Sequence, residues 1–233
     1  PPNDLIKIDG QKHVVVASFI ELNSSIGMPE YQNPNLSRQD QQVGQKNAPY
    51  YWNQSIHSEY NPALTYAPNP TLAADLHKMG YGLALTHVND GIAQGYGTLV
   101  RLYNGSAKDK ELKSEIAGFY SFNKGNSSQS YPSSQMGSIA LLRQALYDAQ
   151  WFEKYGSEVN YSLNALTAQS KLPCFFTTSD QYELLRVTNI DREFNRKFII
   201  LGTGHEYELG KIYDTLKRQL VIPINFPEAY DMK

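Results

Sequence analysis

Apolar positions along this chain fall into two alternating kinds of run. The first kind is short and continuous: "HVVVASFIEL" (13–22), "YGLALTHV" (81–88), "LPCFFTT" (172–178), "KFIIL" (197–201) and "QLVIPINF" (219–226). Such runs, rich in β-branched and aromatic residues, predict strands buried on both faces. The second kind is spaced by three and four. In "SSQMGSIALLRQALYDAQWFEKYG" (133–156), Ile139, Leu142, Leu146, Ala149 and Phe152 share one helical face and Gly156 stops the helix. "NPTLAADLHKMGYG" (69–82) is a punctuated helix, with Asn69 as cap, Pro70 in the first turn and Gly80 at the left-handed C-terminal position. A third helix opens at Asp180, with Glu183 at capping-box spacing and Leu184, Val187, Ile190 and Phe194 on one side. "YELGKIYDTLKR" (207–218) predicts a fourth, through Leu209, Ile212, Tyr213 and Leu216. "GTLVRLYN" and "SEIAGFYSF" read as two strands of a hairpin around "GSAKDK" (105–110). The second half is strand–helix–strand–helix–strand, the order of an α/β protein with a parallel sheet or barrel.

Residues 28–68 break this rhythm: they are rich in Asn, Gln, Pro and Tyr and have little periodicity. A loop this long in a compact domain is usually functional or mobile. After a first barrel strand it would lie on the face where active sites are built; an ordered wrap over the barrel mouth is the structural alternative.

Bulk properties narrow the classes. At 233 residues the chain is one large domain or two small ones, and 41% apolar residues suffice for a sizeable core. A net charge of −2 without a basic block leaves no nucleic-acid footprint. No apolar run approaches the ~20 residues of a membrane span, and no signal peptide is visible. The opening "PPNDLIKIDG" has no initiator methionine, as a processed or excised piece would not. Cys174 is the one cysteine, which excludes a disulfide framework or a multi-cysteine zinc site, and its apolar setting reads as a buried, inert thiol. The seventeen tyrosines, with many Asn, Gln and Ser, suit an extracytoplasmic protein.

Three stretches resemble a known family. "GQKHVVVASFIELNSS" (10–25) resembles the first barrel strand of the amidohydrolase superfamily. "YPSSQMGSIALLRQALYDAQWF" (131–152) is similar to a helix of its imidazolonepropionase-like branch, especially the large bacterial members. "TTSDQYELLRVTNIDREFNRKFIILGTGHEY" (177–207) is similar to that branch's fifth strand, following helix and sixth strand. The resemblance implies a TIM-barrel-like fold, hydrolysis of C–N bonds and a periplasmic or other extracytoplasmic location. It also implies a metal held by two histidines of the first strand, one residue apart on the same side, with further histidines ending the fifth and sixth strands. Such a metal lowers the pKa of a bound water to make the nucleophile.

Carried over position by position, every implied histidine is replaced: Asn23 and Ser25 stand for the first-strand pair, Thr177 for the fifth-strand histidine and Gly202 for the sixth, while the Asp implied on the last strand has no counterpart among these positions. These positions are therefore expected to hold no metal, and no cofactor is implied unless a site has moved. The resemblance also implies that residues 1–16 are the trailing edge of a small β-sandwich and residues 17–233 a partial barrel carrying the 28–68 insertion. A full barrel takes roughly 250 residues and eight strands, so this barrel is expected to be incomplete. The implied partners are the remainder of a longer parent chain, a second amidohydrolase-like domain or another copy.

Other chemistry is sparse. His87 ends a predicted strand with Asp90 three residues on, and His205 with Glu206 follows the sixth strand. Together they are the candidates for a relocated zinc or other divalent-metal site, or for an acid–base cluster; inherited polar residues at a barrel mouth would look the same. His13 lies outside the barrel, His77 reads as solvated, and His57 as a surface or loop-packing residue. "NDGIAQGYG" (89–97) matches no phosphate-loop spacing and reads as a turn. The serines of "NKGNSSQSYPSS" (123–134) either cap the following helix or bind an anion at its N-terminus. No Gly-x-Ser-x-Gly elbow is present. Three functions remain: a ligand-depleted amidohydrolase-like domain with a structural or interaction role, an active hydrolase with a site near His87 and His205, and a peptide- or sugar-binding module using Tyr50, Tyr51 and Trp52 as stacking surfaces.

Overall fold

The computed structural model describes residues 10–29, 49–102 and 111–223. Seven strands form one sheet in sequence order: β1 (Phe19–Ser24), β2 (Tyr81–Thr86), β3 (Ala93–Arg101), β4 (Glu111–Ser121), β5 (Cys174–Thr177), β6 (Phe198–Leu201) and β7 (Leu220–Val221). β1 and β2 are parallel, β3 is antiparallel to both β2 and β4, and β4 through β7 are parallel again. Among the described residues β1 and β7 are the sheet's two edges. Residues of both line one cavity of about 730 Å³, together with Leu76, Met79, Leu201 and Gly202. The sheet thus curves into a barrel that, among the described residues, is not closed between β1 and β7.

The helices follow their punctuation. α1 (Pro70–Lys78) starts where Asn69 Oδ1 accepts from the Leu72 amide, and it ends before Gly80 at φ +92°. α2 (Gln135–Tyr155) is capped by Ser134 and buries Leu142, Leu146 and Ala149 as its spacing requires. Leu141 and Ala145 are buried with them against β4 and β5 residues such as Tyr120 and Phe176. α4 (Gln181–Phe194) buries all four of Leu184, Val187, Ile190 and Phe194. Its Asp180 cap accepts from the Glu183 amide, but the Glu183 carboxylate reaches one residue further back than a capping box, to the Ser179 amide at 2.7 Å. α5 (Lys211–Leu216) is shorter than predicted, because Gly210 at φ +52° divides it from a 3-10 turn at Glu206–Leu209.

One helix was not expected, and two expectations change. α3 (Tyr161–Gln169) has no strong periodicity in sequence, yet Asn160 caps it, and Leu163, Ala165 and Leu166 are buried. "HVVVASFIEL" is not a buried strand. β1 begins only at Phe19, Val15 (93% exposed) and Phe19 (64%) are exposed, and among the described residues β1 pairs on one side only, with β2. "NDGIAQGYG" is not a simple turn: its second half is inside β3. There Gly95 at φ +94° leaves room for the Tyr60 carbonyl, which any Cβ would strike. No strand occurs in residues 10–18, and the rest of the segment expected to border a β-sandwich, residues 1–9, lies outside the described residues. Residues 30–48 of the long insertion and the "GSAKDK" tip also lie outside them.

The described part of the insertion is ordered as a wrap. Its backbone bonds to β3 and the turn before it through Ile92 N–Ser55 O (2.7 Å), His57 N–Ala93 O (2.7 Å) and Tyr96 N–Tyr60 O (2.7 Å). Ile56 is fully buried, Tyr51 nearly so, and the Tyr51 hydroxyl donates to Asp148 of α2 at 2.7 Å. Among the described residues, no helix is long and apolar enough to cross a membrane.

Candidate functional site

Strand polarity gathers the candidate residues at one rim. Six parallel strands end there at Ser24, Thr86, Ser121, Thr177, Leu201 and Val221, with Ser121 aligned to Thr177 and Thr177 to Leu201. Leu201 at the rim packs with Leu85, Ala117, Phe119 and Phe175 below it. His87, just past β2, lies flat on Phe119 (3.8 Å, 5°), and Phe119 stacks on Phe175 (5.1 Å, 16°), so three rings form one column. His87 Nε2 donates to Asn23 Oδ1 at 2.9 Å. The ring is 1% exposed, and this burial pushes its pKa down to about 4. Burial disfavours the imidazolium, so the ring is neutral near pH 7.

Asp90 points elsewhere. It is buried, accepts from the Asn126 amide at 2.7 Å and lies 3.6 Å from His57 Nε2; burial raises its carboxyl pKa. His57 is itself buried and stacks on Tyr60 (4.5 Å, 15°). This pair went unread in the sequence, where thirty-three positions separate its members; only the folded wrap brings them together. It ties the insertion to the turn between β2 and β3.

His205 and Glu206 do not act as neighbours. His205 is exposed, with Nδ1 3.2 Å from Glu208. Glu206 is buried and turns inward, accepting from the Thr203 (2.6 Å) and Gly204 (2.9 Å) amides. Its carboxylate fills the space a side chain at Gly202 would need: a Cβ there would lie 2.5 Å from Glu206 Oε1. Among the described residues, no three His, Cys, Asp or Glu side chains converge in a group that could hold a metal ion. Asn23 is committed to His87, while Ser25 and Thr177 border two different cavities. An amide, two hydroxyls and a glycine do not form a zinc donor set.

Cys174 is buried and its thiol is pushed up to about 11, chiefly by desolvation, as an inert thiol should be. Tyr50 and Trp52 are partly exposed, but Tyr51 is buried, and Trp52 stacks on Tyr131 (6.5 Å, 15°) rather than standing free.

No family model and no curated protein matches the sequence. The structure is similar to the crystal structure of an amidohydrolase from Thermotoga maritima MSB8, with a TM-score of 0.64 and 13% identical residues. The fold is amidohydrolase-like. The match covers 100% of this chain and 65% of that protein, so this chain spans just under two thirds of its length. At this identity the amidohydrolase-like fold is what the two share. The antiparallel β3 departs from an all-parallel barrel.

Proposed function

We propose that this chain is an amidohydrolase-like domain of a larger hydrolase acting on C–N bonds, and that the domain serves a structural or interaction role instead of hydrolysing substrate with a metal of its own. The observation that carries this reading is the Glu206 carboxylate seated where a side chain at position 202 would lie. A position that lost a ligand and had its space taken by a bonded carboxylate is repacked, not merely substituted. The buried, neutral His87 bonded to Asn23 supports the same reading at the first strand. We assign the domain to the imidazolonepropionase-like branch on the strength of "YPSSQMGSIALLRQALYDAQWF", with residues 1–16 ending a β-sandwich and residues 17–233 forming the partial barrel.

The interaction role is supported by the edge that β1 leaves open among the described residues. β1 presents Phe19, Ile20 and Leu22 beside exposed Val14, Val15 and Val16, and the 730 Å³ cleft separates β1 from β7. An uncovered strand edge with apolar side chains is a pairing surface. Its partner in this reading is further chain of the parent protein or a second amidohydrolase-like domain.

Metal content measured by plasma mass spectrometry, before and after incubation with zinc and desalting, tests the proposal. No retained metal is the expected result. Near-stoichiometric retention would overturn it, and loss of that metal in a His87→Ala, His205→Ala double variant would tie it to those two histidines.

A further inference from the structure

On the rim between β4, β5 and the starts of α2 and α4 lies a second cavity, of about 640 Å³. That is within the roughly 300–1,000 Å³ typical of small-molecule clefts. Its walls are dominated by hydroxyls and amides. Among the described residues, the hydroxyls of Ser130, Ser133, Thr177 and Ser179 have no partner within the protein. Asn89 and Asn123 each spend the side-chain oxygen, on Gln94 Nε2 and the Gly125 amide, and keep the Nδ2 donors. Phe122 and Pro132 add apolar surface.

The charges in the wall decide the ligand class. They are one ammonium and one carboxylate, Lys124 and Glu183. Lys124 Nζ is held on the Gln129 carbonyl at 2.7 Å; Glu183 accepts from the Ser179 amide and from Gln135 Nε2. An anion would meet the Glu183 carboxylate and a wall of hydroxyls rather than a donor-only cradle. Hydroxyls and amides both donate and accept, so they match a ligand whose own groups do the same. Apolar patches between them suit the C–H faces of a ring.

We propose that this cavity binds a neutral polyhydroxylated small molecule of the monosaccharide class. The inference rests on the reading that this rim no longer serves a metal, since Thr177 lines the cavity at a position where that chemistry would need a ligand. Binding uses Thr177, Ser133 and Asn123 as hydrogen-bonding groups.

Saturation-transfer NMR on the whole chain, with glucose, galactose, N-acetylglucosamine and glucuronate as probes, tests it. At least one neutral sugar should bind at millimolar concentration, and glucuronate should bind more weakly. Thr177→Val with Ser133→Ala should weaken binding about tenfold at an unchanged melting temperature, because two hydrogen bonds of modest net strength are lost. Asn123→Ala, at an exposed site, should weaken it about threefold. Absence of saturation transfer from all three neutral sugars overturns the proposal, as does preference for glucuronate or undiminished binding by the double variant. Metal retention is a separate readout: retained zinc removes the scaffold reading whatever the sugars do, and a failed sugar titration leaves that reading standing.

Discussion

Acid should open a stability gap between this protein and a His87→Gln variant. In the folded protein burial holds the His87 imidazole at a pKa of about 4, against an ordinary value of 6.5. As pH falls through 6.5 the unfolded chain takes up this proton while the folded chain refuses it. The stability that neutral His87 contributes is therefore complete above 6.5, is lost progressively down to about 4, and falls no further below that. At about 1.4 kcal/mol per tenfold change in proton affinity, the loss amounts to roughly 3 kcal/mol. Gln does not titrate, so the variant escapes this loss, and contributions common to both proteins cancel in the difference. Urea unfolding followed by tryptophan fluorescence at pH 7.5, 6, 5 and 4 measures it. Curves of unfolding free energy against pH that run parallel for the two proteins would refute the reasoning.

Other positions give sharper geometric tests. Gly202→His should lower the melting temperature by several degrees, since its Cβ would meet Glu206 Oε1 at 2.5 Å, and adding Glu206→Ala should recover part of the loss in differential scanning calorimetry. Arg218→Met strands the buried Asp191 carboxylate that Arg218 pairs with. It should cost about 3 kcal/mol in urea unfolding at pH 8. Burial already raises the Asp191 carboxyl pKa to about 6 with the guanidinium beside it, so the cost should shrink at pH 5, where the unpaired carboxyl is protonated. Asn160→Ala removes the side-chain cap of α3 and should cost about 1 kcal/mol in the same assay.

The parallel half of the fold was legible because its strands are continuous apolar runs and its helices carry strong caps. Asp180, Ser134 and Asn69 mark the starts of α4, α2 and α1, and the sequence order of the described strands is their order in the sheet. α3 was not legible, because Ser, Asn, Thr and Gln interrupt its apolar face and its burial comes from packing on α2 and the wrap. β1 misled for the opposite reason. The valines before it and its isoleucine have the composition of a buried strand, and composition does not say whether a neighbour is present. At the rim, the residue types absent from the expected ligand positions were visible in sequence. What replaced them was not: the Asn23–His87 bond, the His57–Asp90 pair and the inward turn of Glu206 all depend on long-range contacts or on a side-chain direction.

The antiparallel strand β3, alone of its kind among the described residues, has a consequence for how this fold tolerates rearrangement. A single reversed strand adds two changes of direction, one on entering it and one on leaving, and two reversals cancel. The chain therefore emerges into β4 with the polarity it had in β2, and Ser121 arrives at the same rim as Thr86 and Thr177. Parity protects everything downstream: an even number of reversals can be spliced into the barrel wall while the mouth keeps its membership, whereas an odd number would deliver β4, β5 and β6 upside down and send their terminal residues to the opposite end.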